Sequence, residues 1–319
     1  MIVRNQLHLL GLRVKGLCDM IQEILRAENL SKVYKGGTKA LDNVSFEFRG
    51  QGVFTILGRN GAGKTTFLRI IGTQLLPSGG RAYVLGHDVV KESKIVRRNI
   101  TVMPQEGSTL PPLTPWDHVY YTLRIRGFSK EEARENALEA LSLLELLEYK
   151  DVHADQLSGG LRQRTLVAMA MATKSKLLLL DEPTLGLDPL SRRNIWKVIR
   201  EYCKKYGSII LTTHYLDEAE VLSDDIVILN DGKVVAKGTV EQLKSGVKEK
   251  VKVEIYNGFS DEELMSYGRV VSVGDRMRVL TDEKSAQELV NLAIKKGVKV
   301  QTSPITLDDV FVDITSVGE

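Results

Sequence analysis

Between Ala27 and Tyr83 the apolar residues fall in short β-like runs. LDNVSFEF alternates apolar with polar, as a strand with one wet face does, and VFTIL is nearly all apolar, as a strand buried on both faces is. From Pro111 to Lys150 the period lengthens to that of a helix. SKEEARENALEALSLLELLEY sets a leucine stripe behind Ser129, a capping residue followed by acidic residues, and predicts an inserted helical lobe. A helix over Leu161 to Thr173, a strand over Leu177 to Leu180, a helix with Ile195, Val198, Ile199, Tyr202 and Cys203 on one face, and the strand SIILTT follow. Strands alternating with helices in this way predict an α/β domain on a largely parallel sheet. Near Gly246 the character changes again. KVKVEIY, RVVSVG and RMRVLT read as strands, EKSAQELVNLAIKKG as a helix, VKVQT as a strand and TLDDVFVDI as a last short helix, a separate small α+β appendage.

Composition narrows the class without choosing a function. The 319 residues are 43% hydrophobic and 27% charged, which suits a large core and a smaller one and excludes disorder. With 44 basic and 41 acidic residues the net charge is +3, so no broad electrostatic footprint for nucleic acid is expected. Cys18 and Cys203 stand far apart, outside any disulfide or zinc spacing, in keeping with a reducing cytosol. No apolar run approaches the roughly 20 residues of a membrane helix, so service to a membrane would need another chain to span it. In the first residues, Val3, Leu7, Leu10, Val14, Leu17 and Ile21 follow a helical stripe weakened by Gly11 and Gly16. We read residues 1–25 as an extension outside the functional fold, with Met20 as a candidate start.

The chemistry begins at Gly58-Arg59-Asn60-Gly61-Ala62-Gly63-Lys64-Thr65-Thr66, between VFTIL and the helical TTFLRIIG. It fits G-x-x-x-x-G-K-[ST] in the strand-to-helix setting that this motif requires. Glycines let successive N–H groups turn toward one oxyanion, and the helix beneath adds about half a positive charge at its N-terminus. Lys64 then reaches the terminal phosphates, and the Thr65 hydroxyl is placed to bind Mg²⁺. Kinases, GTPases and many ATPases share the loop, so the later segments decide among them.

LLLLDEP ends a buried-type strand in Asp181 and Glu182, where the open α/β sheet binds its ligands. Asp181 is expected to orient the metal and Glu182 to accept a proton from an attacking water. ITVMPQ ends in Gln105, and SIILTT leads into His214. Taken singly, each of these is an ordinary strand end reaching water; four strand ends bearing polar chemistry are not. Ser158-Gly159-Gly160 opens a helix and forms a second anion site with neither lysine nor glycine cradle. Such a half-site is complete only against the glycine loop of another subunit, which predicts a head-to-tail pair with two nucleotides at a two-fold interface.

Over about Ala27 to Gln242 these residues resemble the ATP-binding cassette (ABC) family, with every motif in the family's order. GRNGAGKTT resembles its Walker A loop, Gln105 its Q-loop, LSGG its signature, LLLLDEP its Walker B with the catalytic glutamate, Gly186-Leu187-Asp188 its D-loop and His214 its switch histidine. Tyr34 matches the aromatic that stacks on adenine. Leu161 stands where the family usually has glutamine after LSGG. The tail ending Pro304-Ile305-Thr306-Leu307-Asp308-Asp309-Val310-Phe311, and LTPWDHVYYTLRIRGFSKEEA in the helical lobe, are similar to ATP-binding subunits of the ABC-2 type, drug-exporter-like group.

The resemblance implies a P-loop NTPase cassette over 26–243, with a β-rich subdomain and a helical lobe at about 106–160, plus an α+β accessory domain over 244–319. It implies ATP and Mg²⁺ as cofactors, with Thr65, Gln105 and Asp181 at the metal, Glu182, His214, Gln105 and Lys64 in catalysis, and Tyr34, residues 58–66, Ser158, Gly159, Gly160 and Asp188 around the nucleotide. It further implies a homodimer on the cytoplasmic face of the membrane that drives a separate integral membrane permease, for export. Three alternatives stay open: a soluble cassette ATPase serving a non-transport client, a P-loop kinase or GTPase, and a nucleotide-binding regulator without catalysis. The absence of an NKxD stretch disfavours the GTPase, and the presence of both Glu182 and His214 disfavours the regulator.

Overall fold

The computed structural model describes residues 22–247 and 249–316. The helical stripe of the first residues up to Ile21 lies outside them, while the last residues of the expected extension already begin a strand. β1 (Glu23–Val33) and β2 (Lys39–Arg49) pair antiparallel. The alternation of LDNVSFEF buries Leu41, Val44, Phe46 and Phe48, and Asn43, held left-handed at φ 51°, accompanies the register shift between Leu41 and Val44. β3 (Val53–Leu57), buried at every residue, runs into the glycine loop and then α1 (Lys64–Ile71). β4 (Gly79–Val84) and β5 (His87–Asp88) complete a first sheet of order β2-β1-β4-β5. Stacked rings at 5.1 Å (Phe46 on Phe67) and 4.7 Å (Phe48 on Phe54) join β2 to α1 and to β3, so the loop is fixed from both sides.

After α2 (Ser93–Asn99) and β6 (Ile100–Met103) comes the helical lobe, α3 (Pro115–Ile125) and α4 (Lys130–Leu143). Each helix opens on a reciprocal capping box, Thr114 with Asp117 and Ser129 with Glu132, which satisfies two otherwise orphaned backbone donors. α5 (Gly159–Met171) starts two residues earlier than the sequence period indicates, because Ser158 accepts the Leu161 N–H and draws both glycines into the first turn. β7 (Leu177–Asp181), α6 (Pro189–Lys205) and β8 (Ser208–Thr213) close the unit. β3, β8, β7 and β6 lie side by side, all parallel, in that order. The expected parallel α/β core is therefore present, and its strands are the near-continuous apolar runs that double burial demands.

This first compact unit reaches His214 and also takes in Leu229–Val234. The second contains Tyr215–Ile228 and the chain from Val235 onward, so the sequence boundary at 243/244 falls inside it. Its elements are α7 (Leu216–Leu222), β9 (Asp225–Asn230) and β10 (Lys233–Gly238), of which the end of β9, the turn and the start of β10 count with the first unit, and α8 (Val240–Ser245). β11 (Val251–Tyr256), α9 (Asp261–Met265), β12 (Arg269–Val273), β13 (Arg276–Thr281), α10 (Glu283–Lys295), β14 (Lys299–Pro304) and α11 (Leu307–Ser316) follow. The strands form an antiparallel sheet of order β12-β13-β11-β14, whose Val253, Ile255 and Val279 pack with Ala286 and Leu289 of α10. On β11, Lys252 forms a buried ion pair with Asp309 of α11 at 2.9 Å. The boundary shift has a physical cause in Glu220 of α7: it accepts from Lys244 of α8 at 2.5 Å and from the Leu307 N–H of α11 at 3.0 Å, tying three helices into one body. Among the described residues no helix is long and apolar enough to cross a membrane.

Candidate active site

Four adjacent parallel strands deliver the chemistry at one edge. The loop after β3 leads into Lys64 at the start of α1, β8 is followed by His214, β7 ends in Asp181 with Glu182 next, and β6 leads to Gln105 two residues on. The strand order thus fixes a row: glycine loop, His214, Asp181 with Glu182, Gln105. This is the edge at which open α/β sheets bind ligands.

The loop's shape rests on two glycines above all. Gly63 has φ +99°, and a Cβ there would meet the Ala40 carbonyl oxygen at 2.4 Å and Leu41 Cδ2 at 2.9 Å. A Cβ on Gly58 would meet the Leu229 carbonyl oxygen at 2.4 Å. Both contacts are with rigid backbone, so no larger residue fits without moving the loop. Asn60, Gly61, Gly63, Lys64, Thr65 and Thr66 face a cavity of about 240 Å³ that Ala40, Gln105 and Glu182 also line. Gly58, Arg59 and Ala62 stand behind it: the carbonyls of Gly58 and Arg59 accept from Lys64 Nζ at 2.9 and 3.2 Å, and Ala62 is buried.

Lys64, only 6% exposed, also lies 3.3 Å from Glu182 Oε1, and Glu182 Oε2 meets His214 Nδ1 at 2.8 Å. Lysine, glutamate and histidine therefore form one continuous chain of polar contacts. Glu182 sits at φ 50°, left-handed backbone in which a non-glycine residue is strained by about 1–2 kcal/mol. Its N–H is held by both the carbonyl and the hydroxyl oxygen of Thr212, at 3.2 and 3.1 Å. Thr65 Oγ1 is 3.2 Å from Asp181 Oδ1 and 3.3 Å from Gln105 Oε1. Three oxygens converge there, one of them on a carboxylate: the hard donor set that Mg²⁺ takes alongside phosphate oxygens. Burial pushes the Asp181 carboxyl above its usual range, against the pull of the Thr212 and Thr65 hydroxyls. Among the described residues no three His, Cys, Asp or Glu side chains cluster as a site for a metal held by protein alone.

Tyr34, half exposed just past β1, reaches the loop through its hydroxyl, 3.1 Å from Thr66 Oγ1. Ser158, Gly159, Gly160 and Asp188 do not line the cavity. Ser158 caps α5, and Asp188 caps α6 by accepting the N–H groups of Leu190 and Ser191. The two caps are neighbours, since Arg164 of α5 donates to Ser191 at 3.0 Å and a Cβ on Gly160 would lie 3.5 Å from Leu187.

With this geometry in hand, likeness to known proteins decides the family. The sequence profile described as ABC transporter matches residues 41–185. The daunorubicin/doxorubicin resistance ATP-binding protein DrrA of Streptomyces peucetius is 40% identical to the chain over 223 residues, 70% of this chain and 67% of that protein. The chain belongs to the ABC transporter family. It is likewise similar to the doxorubicin resistance ATP-binding protein DrrA of Mycobacterium tuberculosis, 40% identical over 210 residues, 66% of this chain and 63% of that one. The chain thus spans about two thirds of the length of these relatives. A dimeric ATP-binding cassette determined in a post-hydrolysis state with ADP and Pi superposes with a TM-score of 0.62, at 29% identity, over 68% of this chain and 98% of that one. The protein is an ATP-binding ABC cassette and an ATPase.

Several residues in and around this cavity went unnoticed in the sequence. Ala40 lines the cavity, Gly232 accepts the Asp42 N–H and donates to the Ala62 carbonyl, Gln163 donates to the Pro183 carbonyl at 2.9 Å, and Thr212 braces Glu182. None lies in a motif; only the SIILTT strand, polar at its end just before His214, offered a signal for Thr212.

Proposed function

We propose that this cassette hydrolyses ATP with Mg²⁺ at a site closed by a second copy of the chain, and that the cycle drives export through a separate integral membrane subunit at the cytoplasmic face. One observation carries the composite site: the loop cavity has every phosphate-directed group except the Ser158–Gly160 half-site, which caps a helix elsewhere in the same chain. Its volume of about 240 Å³ is also below the roughly 300–1,000 Å³ of pockets that enclose their ligand. A head-to-tail partner supplies the missing wall, with Ser158 and the first amides of α5 facing the terminal phosphate at a helix N-terminus.

In this reading Lys64 leaves the carbonyls of Gly58 and Arg59 for the terminal phosphates, which frees Glu182 to take the proton of an attacking water. His214 holds the second oxygen of Glu182 and so fixes the direction in which the base points. Thr65, Asp181 and Gln105 would hold Mg²⁺, which supplies charge neutralisation on the phosphate oxygens. Tyr34, beside Thr66, offers a face for adenine. ATP bridging two cassettes stores its binding energy in the closed dimer, and loss of the terminal phosphate releases it. Export is supported by the likeness to resistance proteins named for daunorubicin and doxorubicin, and by the resemblance of the tail ending Pro304 to Phe311 to that of drug-exporter-like subunits. The segment after Gln105, with Tyr121 and Ile125 of α3 exposed, is the surface we assign to a cytoplasmic helix of the membrane partner.

Measured turnover of Glu182→Gln tests the catalytic part. It should fall by roughly 10²–10⁴-fold, the usual share of a general base, while ATP binding persists and a dimer accumulates; unchanged hydrolysis removes Glu182 from the role.

A further inference from the structure

Thr212 is the last but one residue of β8, fully buried, directly across the parallel ladder from Asp181. Its hydroxyl does two things at once. It donates to Asp181 Oδ1 at 2.5 Å, and it accepts the Glu182 N–H at 3.1 Å. One hydroxyl thus joins the backbone of one carboxylate residue to the side chain of its neighbour.

The neighbour needs the restraint. Glu182 lies in the left-handed region that an L-residue avoids, and such strain persists only where surrounding contacts over-determine the backbone. That conformation is also what turns the side chain of Glu182 toward Lys64 and His214 while Asp181 faces Thr65. We infer that Thr212 is a positioning residue for hydrolysis, its hydroxyl setting the left-handed turn at Glu182 and the orientation of the Asp181 carboxylate together. The inference rests on the reading of Glu182 as the base, and it concerns a residue that does not line the loop cavity.

Valine has threonine's shape without its hydroxyl. In Thr212→Val the Glu182 N–H keeps the Thr212-position carbonyl at 3.2 Å, so the sheet stays paired and only the brace is lost. The expected result is a fall in kcat of about 10- to 100-fold with KM for ATP within about threefold, because the interaction acts in the transition state rather than on ground-state binding. Thr212→Ser should recover most of the loss. Added to Glu182→Gln, the valine should cost little more, since residues that act as a unit are non-additive.

Turnover of Thr212→Val within about twofold of the parent, or equal losses in the serine and valine variants, would overturn the inference. Losses that multiply in the double variant would also overturn it, by showing that Thr212 acts independently of Glu182. Should the valine variant fail to fold, Thr212→Ala offers the same comparison against serine. Glu182→Gln alone separates the two claims: if it retains full turnover the base assignment fails, whereas a loss there with none in Thr212→Val fails the positioning role alone.

Discussion

At Gly63 a single hydrogen atom decides whether the phosphate loop exists. A methyl group there collides with the Ala40 carbonyl and with Leu41 at positive φ, so relief requires displacing β2, whose Phe46 and Phe48 hold α1 and β3. Gly63→Ala should therefore abolish ATP binding, read with a fluorescent nucleotide, while leaving far-ultraviolet circular dichroism close to the parent. The sequence singled out Lys64, Thr65, Asp181, Glu182 and His214 as candidates, the first two through the glycine-loop motif and the others at or just past strand ends. It did not reveal that Glu182 is left-handed or that Thr212 braces it, because a hydrogen bond between residues 30 positions apart leaves no local periodicity.

Among the elements, the ends of α4, α5 and α6 meet at Glu139. Its carboxylate accepts from Lys205 and Tyr206 and pairs with Lys174, each at 2.5–2.6 Å. Hydrogen bonds from Lys174, Lys205 and Tyr206 hold its pKa down to about 2 from an ordinary 4.5. A carboxyl depressed on folding stabilises fully above its unfolded value and loses that contribution as pH falls through the folded one. The melting difference between the parent and Glu139→Gln should thus be constant above about pH 4.5 and close on descent toward pH 2. Partial exposure keeps it to about 1 kcal/mol at most. In the second unit the Lys252–Asp309 pair is far better shielded, and the Asp309 carboxylate also accepts from Arg278 at 3.2 Å and from the Thr306 N–H and hydroxyl. Burial alone would raise the Asp309 carboxyl; hydrogen bonds from the Thr306 N–H, Lys252 and the Thr306 hydroxyl bring it below the usual range instead. Lys252→Met should destabilise this unit by about 1.5–3 kcal/mol in chemical denaturation, the share of one charged hydrogen bond, because Arg278 and Thr306 still hold the carboxylate. The same pair explains why the sequence showed α11 as a helix but not its attachment: the two residues are 57 positions apart.

At the scale of the whole molecule, the separation of the two half-sites makes a complementation test decisive. Variants Lys64→Ala and Ser158→Arg should each be inactive alone, because every shared site in either homodimer has one damaged wall. Mixed, they form heterodimers with one site doubly damaged and one intact. Partial turnover that rises with the mixing of the two proteins and disappears on dilution is the expected result. A monomeric preparation hydrolysing at full rate at every concentration would refute the two-copy site, while leaving the ATPase assignment standing.

What could be read from residue order was whatever repeats locally. Two-residue and helical periods gave the alternating α/β elements, glycine, lysine and carboxylate spacing suggested phosphate chemistry, and the motifs taken together carried the resemblance to the ABC family. Contacts between distant residues needed the folded chain. The strand order β3-β8-β7-β6 sets Lys64, His214, Glu182 and Gln105 in one row, and Glu220 assigns α7 and α8 to the second unit. Such contacts depend on which surfaces meet once burial and hydrogen-bond satisfaction are settled for the chain together, and no short window of sequence carries that information.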